Sequence, residues 1–211
     1  MPIRKITKSN RSISGYFNSR KNKRMVAFES GLEHDFFLLL EFDPSVLSFE
    51  EQPFKLQYEC EGSKHYYTPD VLVHYADFSS VYEVKYQAII DKDEELQRKL
   101  HCIEHHFKEE NKYSFNLFTD QTVSTIYLQN LKFLYKPQFM TKSESMYTKF
   151  LNTYEALTVP ISLNDFLMMI DEDFTNHAKL LPYLWNFIYY NPTVINLGEK
   201  LSINSLLQVE N

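Results

Sequence analysis

The chain has 211 residues, 44% of them hydrophobic, with only four glycines. That composition belongs to a chain that buries a core, with room for one large domain or two small ones. No apolar run approaches the roughly 18 residues needed to cross a bilayer, and MPIRKITKSNRSISGYF lacks the apolar stretch of a signal peptide. No membrane partner is therefore expected, and the cytoplasm is the expected compartment. Cys60 and Cys102 are too few for a disulfide framework and are expected as reduced thiols. The net charge of −6 argues against nucleic acid, yet its distribution does not. The first 24 residues hold Arg4, Lys5, Lys8, Arg11, Arg20, Lys21, Lys23 and Arg24 and no acid, which reads as a basic arm for a polyanion or as a solvated tail. Aromatics reach 16%, mostly for packing, with base stacking as a second use.

After the arm, SGLEHDFFLLLEF reads as a helix. Ser30 is its N-cap, with S-x-x-E spacing to Glu33, and Asp43-Pro44 ends it. VLSFEEQPFKLQYE gives short strands around Pro53, and Glu61-Gly62-Ser63 a hairpin turn. Strands at 66–74 and 80–86 are joined by a short polar link and should pair antiparallel. DKDEELQRKLHCIEHHFKEEN is a charged helix whose apolar face is Leu96, Leu100, Ile103 and Phe107, and a strand follows at 113–119.

Polar text over 120–145 separates this mixed α/β core from a second region. Helices are expected there at 147–157, 163–170 and 179–190, followed by a hairpin turning at Leu197-Gly198-Glu199. Three helices and a terminal hairpin outline a winged-helix-like α+β domain. The expected organisation is thus a basic arm (1–24), a catalytic domain (25–120) and a winged-helix-like domain (125–211).

YYTPDVLVHYADFSSVYEVKY carries the most chemistry. Hydrolysis of a phosphodiester calls for a divalent cation, and Mg²⁺ favours carboxylate oxygens and water, with Mn²⁺ able to substitute. Asp70 and Glu83 on adjacent strands can converge on one cation. Glu83 and Lys85, two apart, share a strand face, which sets an ammonium beside the carboxylates to orient water or steady developing charge. Glu33 on the upstream helix adds a third acid. The same residues also have ordinary explanations: Pro-Asp is a common turn pair, E-x-K a cross-strand ion pair, and Glu33 part of a capping box. His101 and His105 have the i, i+4 spacing of a zinc pair, near Cys102 and His106, but no second ligand pair is evident. Glu50, Glu51 and Gln52 read as structural or DNA-proximal surface. No Gly-rich phosphate loop points to ATP, and no nucleophile elbow is present.

FESGLEHDFFLLLEFDPSVLSFEEQPFKLQY, HYYTPDVLV and VYEVK, in that order over roughly residues 20–120, resemble TnsA, the endonuclease subunit of heteromeric cut-and-paste transposases. The resemblance implies a restriction-endonuclease-like mixed sheet flanked by helices. It implies an active site at Glu33, Asp70 and Lys85, with Glu83 where the family has Gln or Glu. Metal ligation falls to Glu33, Asp70 and Glu83. It also implies cleavage at the 5′ ends of a transposon, alongside a TnsB-like transposase for the 3′ ends and a TnsC-like ATPase regulator that contacts the C-terminal domain. A stand-alone restriction or repair nuclease, and a non-catalytic adaptor between DNA and protein, are the alternatives.

Overall fold

The structure is a computed structural model, in which residues 13–110, 112–136 and 142–209 are described. The chain divides into two compact units that meet in sequence at Thr122 and Val123. Among the described residues no helix is long and apolar enough to cross a membrane.

The first unit begins with an antiparallel hairpin of β1 (Gly15–Ser19) and β2 (Arg24–Phe28). The second half of the expected arm is therefore folded, and three of its cations, Arg20, Lys21 and Arg24, serve the protein's own acceptors. The Arg20 guanidinium lies 3.8 Å from Glu41. Lys21 donates to the main-chain oxygens of Asp43 and Val46. Arg24 Nη1 donates to Glu51 Oε1 at 2.8 Å, with its second nitrogen on Oε2. Arg4, Lys5, Lys8 and Arg11 lie outside the described residues.

Helix α1 (Gly31–Phe42) is capped as its sequence predicts: the Ser30 hydroxyl accepts the Glu33 N–H at 3.1 Å, and Asp43 is extended before Pro44. There follow β3 (Ser48–Glu51), β4 (Leu56–Cys60), β5 (Ser63–Tyr67), β6 (Val71–His74), β7 (Ser79–Val84), α2 (Gln87–Ile90), α3 (Glu94–Glu110) and β8 (Ser114–Phe118). The main sheet has the order β3-β6-β7-β8, with β8 parallel to β7 and the other pairs antiparallel. This is the expected mixed sheet flanked by helices. β4 and β5 form a separate hairpin. Its turn places Glu61 and Gly62 at φ 50° and 75°, the two positive values that a tight two-residue turn between right-twisted strands requires.

The strand expected over 66–74 is broken. One part pairs in the hairpin through Tyr67, the other resumes in the sheet at Val71, and Pro69, which has no N–H to give a ladder, sits in the gap with Asp70. Helix α1 covers one face of the sheet, where the Phe36 ring lies 4.9 Å from Tyr82 and 4.5 Å from Phe118. Helix α3 and the β4–β5 hairpin cover the other through Tyr58, Tyr67, Leu72, Val81, Ile103 and Phe107. Strand alternation then directs Glu83 to the same side as Val81, toward Tyr67.

The expectation of two reduced thiols is corrected. Cys60 on β4 and Cys102 on α3 form a disulfide, their Cα atoms 5.5 Å apart. Counting cysteines could not anticipate it, because packing of the hairpin against α3 brings together residues separated by 42 positions. With the bridge in place, reduced thiols no longer support a cytoplasmic compartment.

Among its described residues the second unit has four α-helices: α4 (Thr125–Tyr135), α5 (Glu144–Glu155), α6 (Leu163–Ile170) and α7 (His177–Tyr190). Three match the expected helices. The fourth, α4, falls in text read as a polar connection, although it buries Leu131 and Leu134. Phe150, Phe166 and Phe187 meet at the centre, while Phe174 is 68% exposed.

The hairpin expected around Leu197-Gly198-Glu199 is not formed. Buried Asn130 donates to the carbonyls of Leu197 and Glu199 at 2.9 and 2.6 Å and accepts the Leu201 N–H at 3.2 Å, so the backbone groups a ladder would need are bound by a side chain. Among the described residues the C-terminal stretch makes isolated bridges, Ser162 with Leu206 and Ile195 with Leu207. The helices of a winged-helix outline are thus present among the described residues without a paired wing.

Candidate active site

Three of the four residues singled out from sequence meet at the ends of β6 and β7. Val71 pairs with Tyr82, so one step further along the ladder sets Asp70 opposite Glu83. The Val84 N–H donates to Asp70 Oδ2 at 2.8 Å, which fixes that carboxylate against the end of β7. Lys85 Nζ lies 3.1 Å from Glu83 Oε1 and 3.7 Å from Asp70 Oδ2. The Lys85 N–H donates to Phe118 of the parallel neighbour, so the lysine extends from a strand held on both sides. Its side chain keeps 34% exposure against 8% for Glu83, which leaves the ammonium reachable from outside while the carboxylate is enclosed.

Glu33 occupies the first turn of α1. Its Oε2 accepts the Glu29 N–H at 2.9 Å and its Oε1 accepts the Ser30 hydroxyl at 3.0 Å, so the capping role is realised. Its charge also reaches the cluster, raising Asp70 and acting on Lys85.

Electrostatically the site is over-supplied with carboxylates. Burial, and then the charge of Glu83, push the Asp70 carboxyl up to about 7, against the pull of Lys85 and the Val84 N–H. Burial likewise raises Glu33 above the ordinary carboxylate range despite its hydrogen bonds. Burial alone would lower Lys85, but the charges of Asp70 and Glu83 outweigh it and hold the ammonium above its usual value. Three acids sharing one lysine leave negative charge that a cation would compensate.

Among the described residues no three His, Cys, Asp or Glu side chains gather closely enough to cage a metal by themselves. A hard cation such as Mg²⁺ does not need such a cage: it keeps several waters and is commonly held by one or two carboxylates and a substrate phosphate. Asp70 and Glu83, on facing positions and excessively negative, suit that mode. The imidazole pair on α3 does not make a zinc site, since Cys102 is bridged to Cys60 and His105 lies 3.4 Å from Glu109.

Two further residues border the cluster. The Tyr67 hydroxyl donates to Glu83 Oε2 at 2.7 Å; burial and the Glu83 charge keep that phenol protonated far above its usual range. Its signal in the sequence is faint, a single inward position at the end of an exposed hairpin strand. Gln52, read from sequence as surface, has φ 44° and donates its N–H to the Asp70 carbonyl at 2.9 Å. Its Nε2 reaches Glu29 Oε1 at 3.4 Å, and its Oε1 is buried with no partner among the described residues. A non-glycine residue in the left-handed region beside Asp70 marks a position where neighbouring structure enforces the backbone.

No curated protein matches the chain. A family model, TnsA-like endonuclease N terminal, matches residues 43–120, a span that includes Asp70, Glu83 and Lys85 and begins after Glu33. The strands that carry the acidic pair and its lysine therefore lie in the part of the chain that is similar to the TnsA-like endonuclease N-terminal domain.

Proposed function

We propose that this chain is a metal-dependent DNA endonuclease that cleaves the 5′ ends of a transposon during cut-and-paste transposition. The observation that carries the reading is the contact of Lys85 with both Asp70 and Glu83 at the open ends of β6 and β7. Mg²⁺ is the expected cation, with Mn²⁺ as substitute; when bound, it neutralises charge on the phosphate and acidifies a water molecule. Asp70 and Glu83 hold it, and Glu33 lends a third carboxylate from the start of α1. Lys85, partly exposed, meets the phosphodiester and steadies the charge that develops on its oxygens. The Val84 N–H keeps the Asp70 carboxylate turned toward the lysine.

The partners in this reading are duplex DNA at the transposon ends, a TnsB-like transposase that handles the other strand, and a TnsC-like ATPase regulator that docks on the second unit. Chromosomal DNA as substrate makes the cytoplasm the working compartment. The acids of the second unit, Glu144, Glu155, Asp165, Asp171, Glu172, Asp173 and Glu199, suit a basic protein surface better than a DNA groove.

Strand-specific cleavage of a donor DNA carrying an element end tests the proposal. Cutting at the 5′ end with Mg²⁺ and the neighbouring transposase proteins, and none in EDTA, is expected. Equal cutting of purified DNA without partners identifies a stand-alone nuclease. Absence of both cutting and divalent-cation binding leaves an adaptor.

A further inference from the structure

We infer that Tyr67 is a positioning residue for the metal site, acting through Glu83. The inference rests on the endonuclease reading above and deepens it.

Tyr67 closes β5, the strand of the β4–β5 hairpin that never joins the main sheet. Four of the five residues of β5 are exposed, and only Tyr67 turns inward, to 5% exposure. Its ring is held edge-on by Tyr58 and Phe107, with centroids 6.5 and 6.4 Å away. These contacts fix the ring independently of the hydroxyl. The hydroxyl is then delivered to Glu83 Oε2 at 2.7 Å, across a separation of 16 residues and inside the cluster that fills the α3 side of the sheet.

Glu83 is thus gripped at both oxygens, Oε2 by the phenol and Oε1 by the Lys85 ammonium. The two grips differ in kind. Lys85 has a long flexible stem and 34% exposure, and it is free to turn toward a substrate phosphate. Tyr67 has a packed ring that keeps its hydroxyl on Glu83. When Lys85 turns, the phenol keeps the Glu83 carboxylate in one rotamer beside Asp70. Groups that hold a ligating carboxylate from outside its metal commonly change metal affinity 10–100-fold when removed. Only two residues, Thr68 and Pro69, separate Tyr67 from Asp70, so the same turn sets both the ligand and the group that orients its neighbour.

Calorimetric titration of Mn²⁺ into the full chain, without DNA, tests this. Four proteins are compared: wild type, Tyr67→Phe, Glu83→Ala and the double variant, with near-UV circular dichroism as a check on the fold. Tyr67→Phe keeps the ring and loses only the hydroxyl, so its spectrum should match wild type while Mn²⁺ affinity falls about tenfold. In the Glu83→Ala background the same change should cost nothing further. Raising Mn²⁺ should restore cleavage to Tyr67→Phe. Equal Mn²⁺ affinity for wild type and Tyr67→Phe overturns the inference, and so does an equal loss in both backgrounds. Failure of wild type to bind Mn²⁺ is a distinct result, which removes the metal-dependent reading together with this one.

Discussion

Two groups of buried carboxylates lie in the first unit, and the protein treats them in opposite ways. At the β1–β2 hairpin, each acid has donors of its own. Glu41 accepts from the Ser19 hydroxyl at 2.8 Å and the Arg20 N–H at 3.0 Å, and Glu51 receives the fork of Arg24 and the Ala27 N–H. Burial would raise Glu51, but the hydrogen bond and charge of Arg24, together with main-chain N–H donors, more than offset it and hold the carboxyl below its ordinary range. At the ends of β6 and β7 the balance is reversed: each acid has a neutral donor, but Asp70 and Glu83 share one ammonium, Lys85, Glu33 adds its charge, and Asp70 is driven up to about 7. The first group is a clasp that fastens a hairpin to α1 through Glu41 and to the sheet through Glu51. The second is held in surplus charge, which is how catalytic carboxylates differ from structural ones.

The sharpest way to break this contrast is Lys85→Ala. If Lys85, the cation of the surplus group among the described residues, serves the proposed reaction, cleavage should fall about 10²–10³-fold or more, the scale for removing one charge-stabilising group. The fold should persist, because the Tyr67 hydroxyl and the Val84 N–H still hold Glu83 and Asp70. Strand cutting at the wild-type rate by Lys85→Ala removes the assignment.

Stability changes come next. Reducing the Cys60–Cys102 bridge releases a loop closed over 42 positions, an entropic loss of about 4 kcal/mol at most, read as a lowered urea midpoint with dithiothreitol. An unchanged midpoint would mean that the hairpin and α3 stay docked through packing alone. Arg24→Ala strands a carboxylate whose side chain is only 7% exposed. Because Arg24 itself is 43% exposed, the effect should sit near the low end for a broken buried pair, about 2 kcal/mol, or a fall of about 4–8 °C in Tm. A melt shifted by less than a degree would reduce the clasp to a surface ion pair.

What was legible in the sequence divides along the same line. The capped helix before Pro44, the Glu61-Gly62 turn and the antiparallel β6–β7 pair were readable, because local chemistry sets each of them: a side-chain cap, positive φ, a short polar link. Asp70, Glu83 and Lys85 were readable because strand alternation and a hairpin bring them together. The clasp was not. Arg20, Lys21 and Arg24 looked like a free basic arm, since nothing local announces that Glu41 and Glu51, more than 20 residues later, will meet them. Long-range contacts explain the other corrections as well. The disulfide depends on docking of a hairpin on α3, and the missing C-terminal hairpin on Asn130, which lies 67 residues before its carbonyl partner Leu197. Tyr67 and Gln52 escaped because their roles exist only once Pro69 and Asp70 are held in place.

The smallest expected effect tests the contrast most directly, through pH in metal-free buffer. Asp70 has a folded-state value near 7, above the ordinary unfolded carboxylate value of roughly 4. Between those values the folded chain binds more protons than the unfolded one, so stability declines as pH rises through that window and levels off above about 7. Glu51 has the opposite sign: its folded value is depressed, so its contribution is present above the unfolded value and lost as pH falls through the folded one. Asp70→Asn should therefore melt a few degrees above wild type at pH 8 in EDTA, with the gain fading toward pH 4. Glu51→Gln should melt below wild type at pH 8, with its deficit shrinking in acid. Adding Mg²⁺ should raise the wild-type melt and move Asp70→Asn much less, because the variant loses one of the two carboxylates that face each other at the site. Parallel pH profiles for wild type and Asp70→Asn, or the same Mg²⁺ response in both, would mean that Asp70 is as well satisfied as Glu51, and the distinction between clasp and site would collapse.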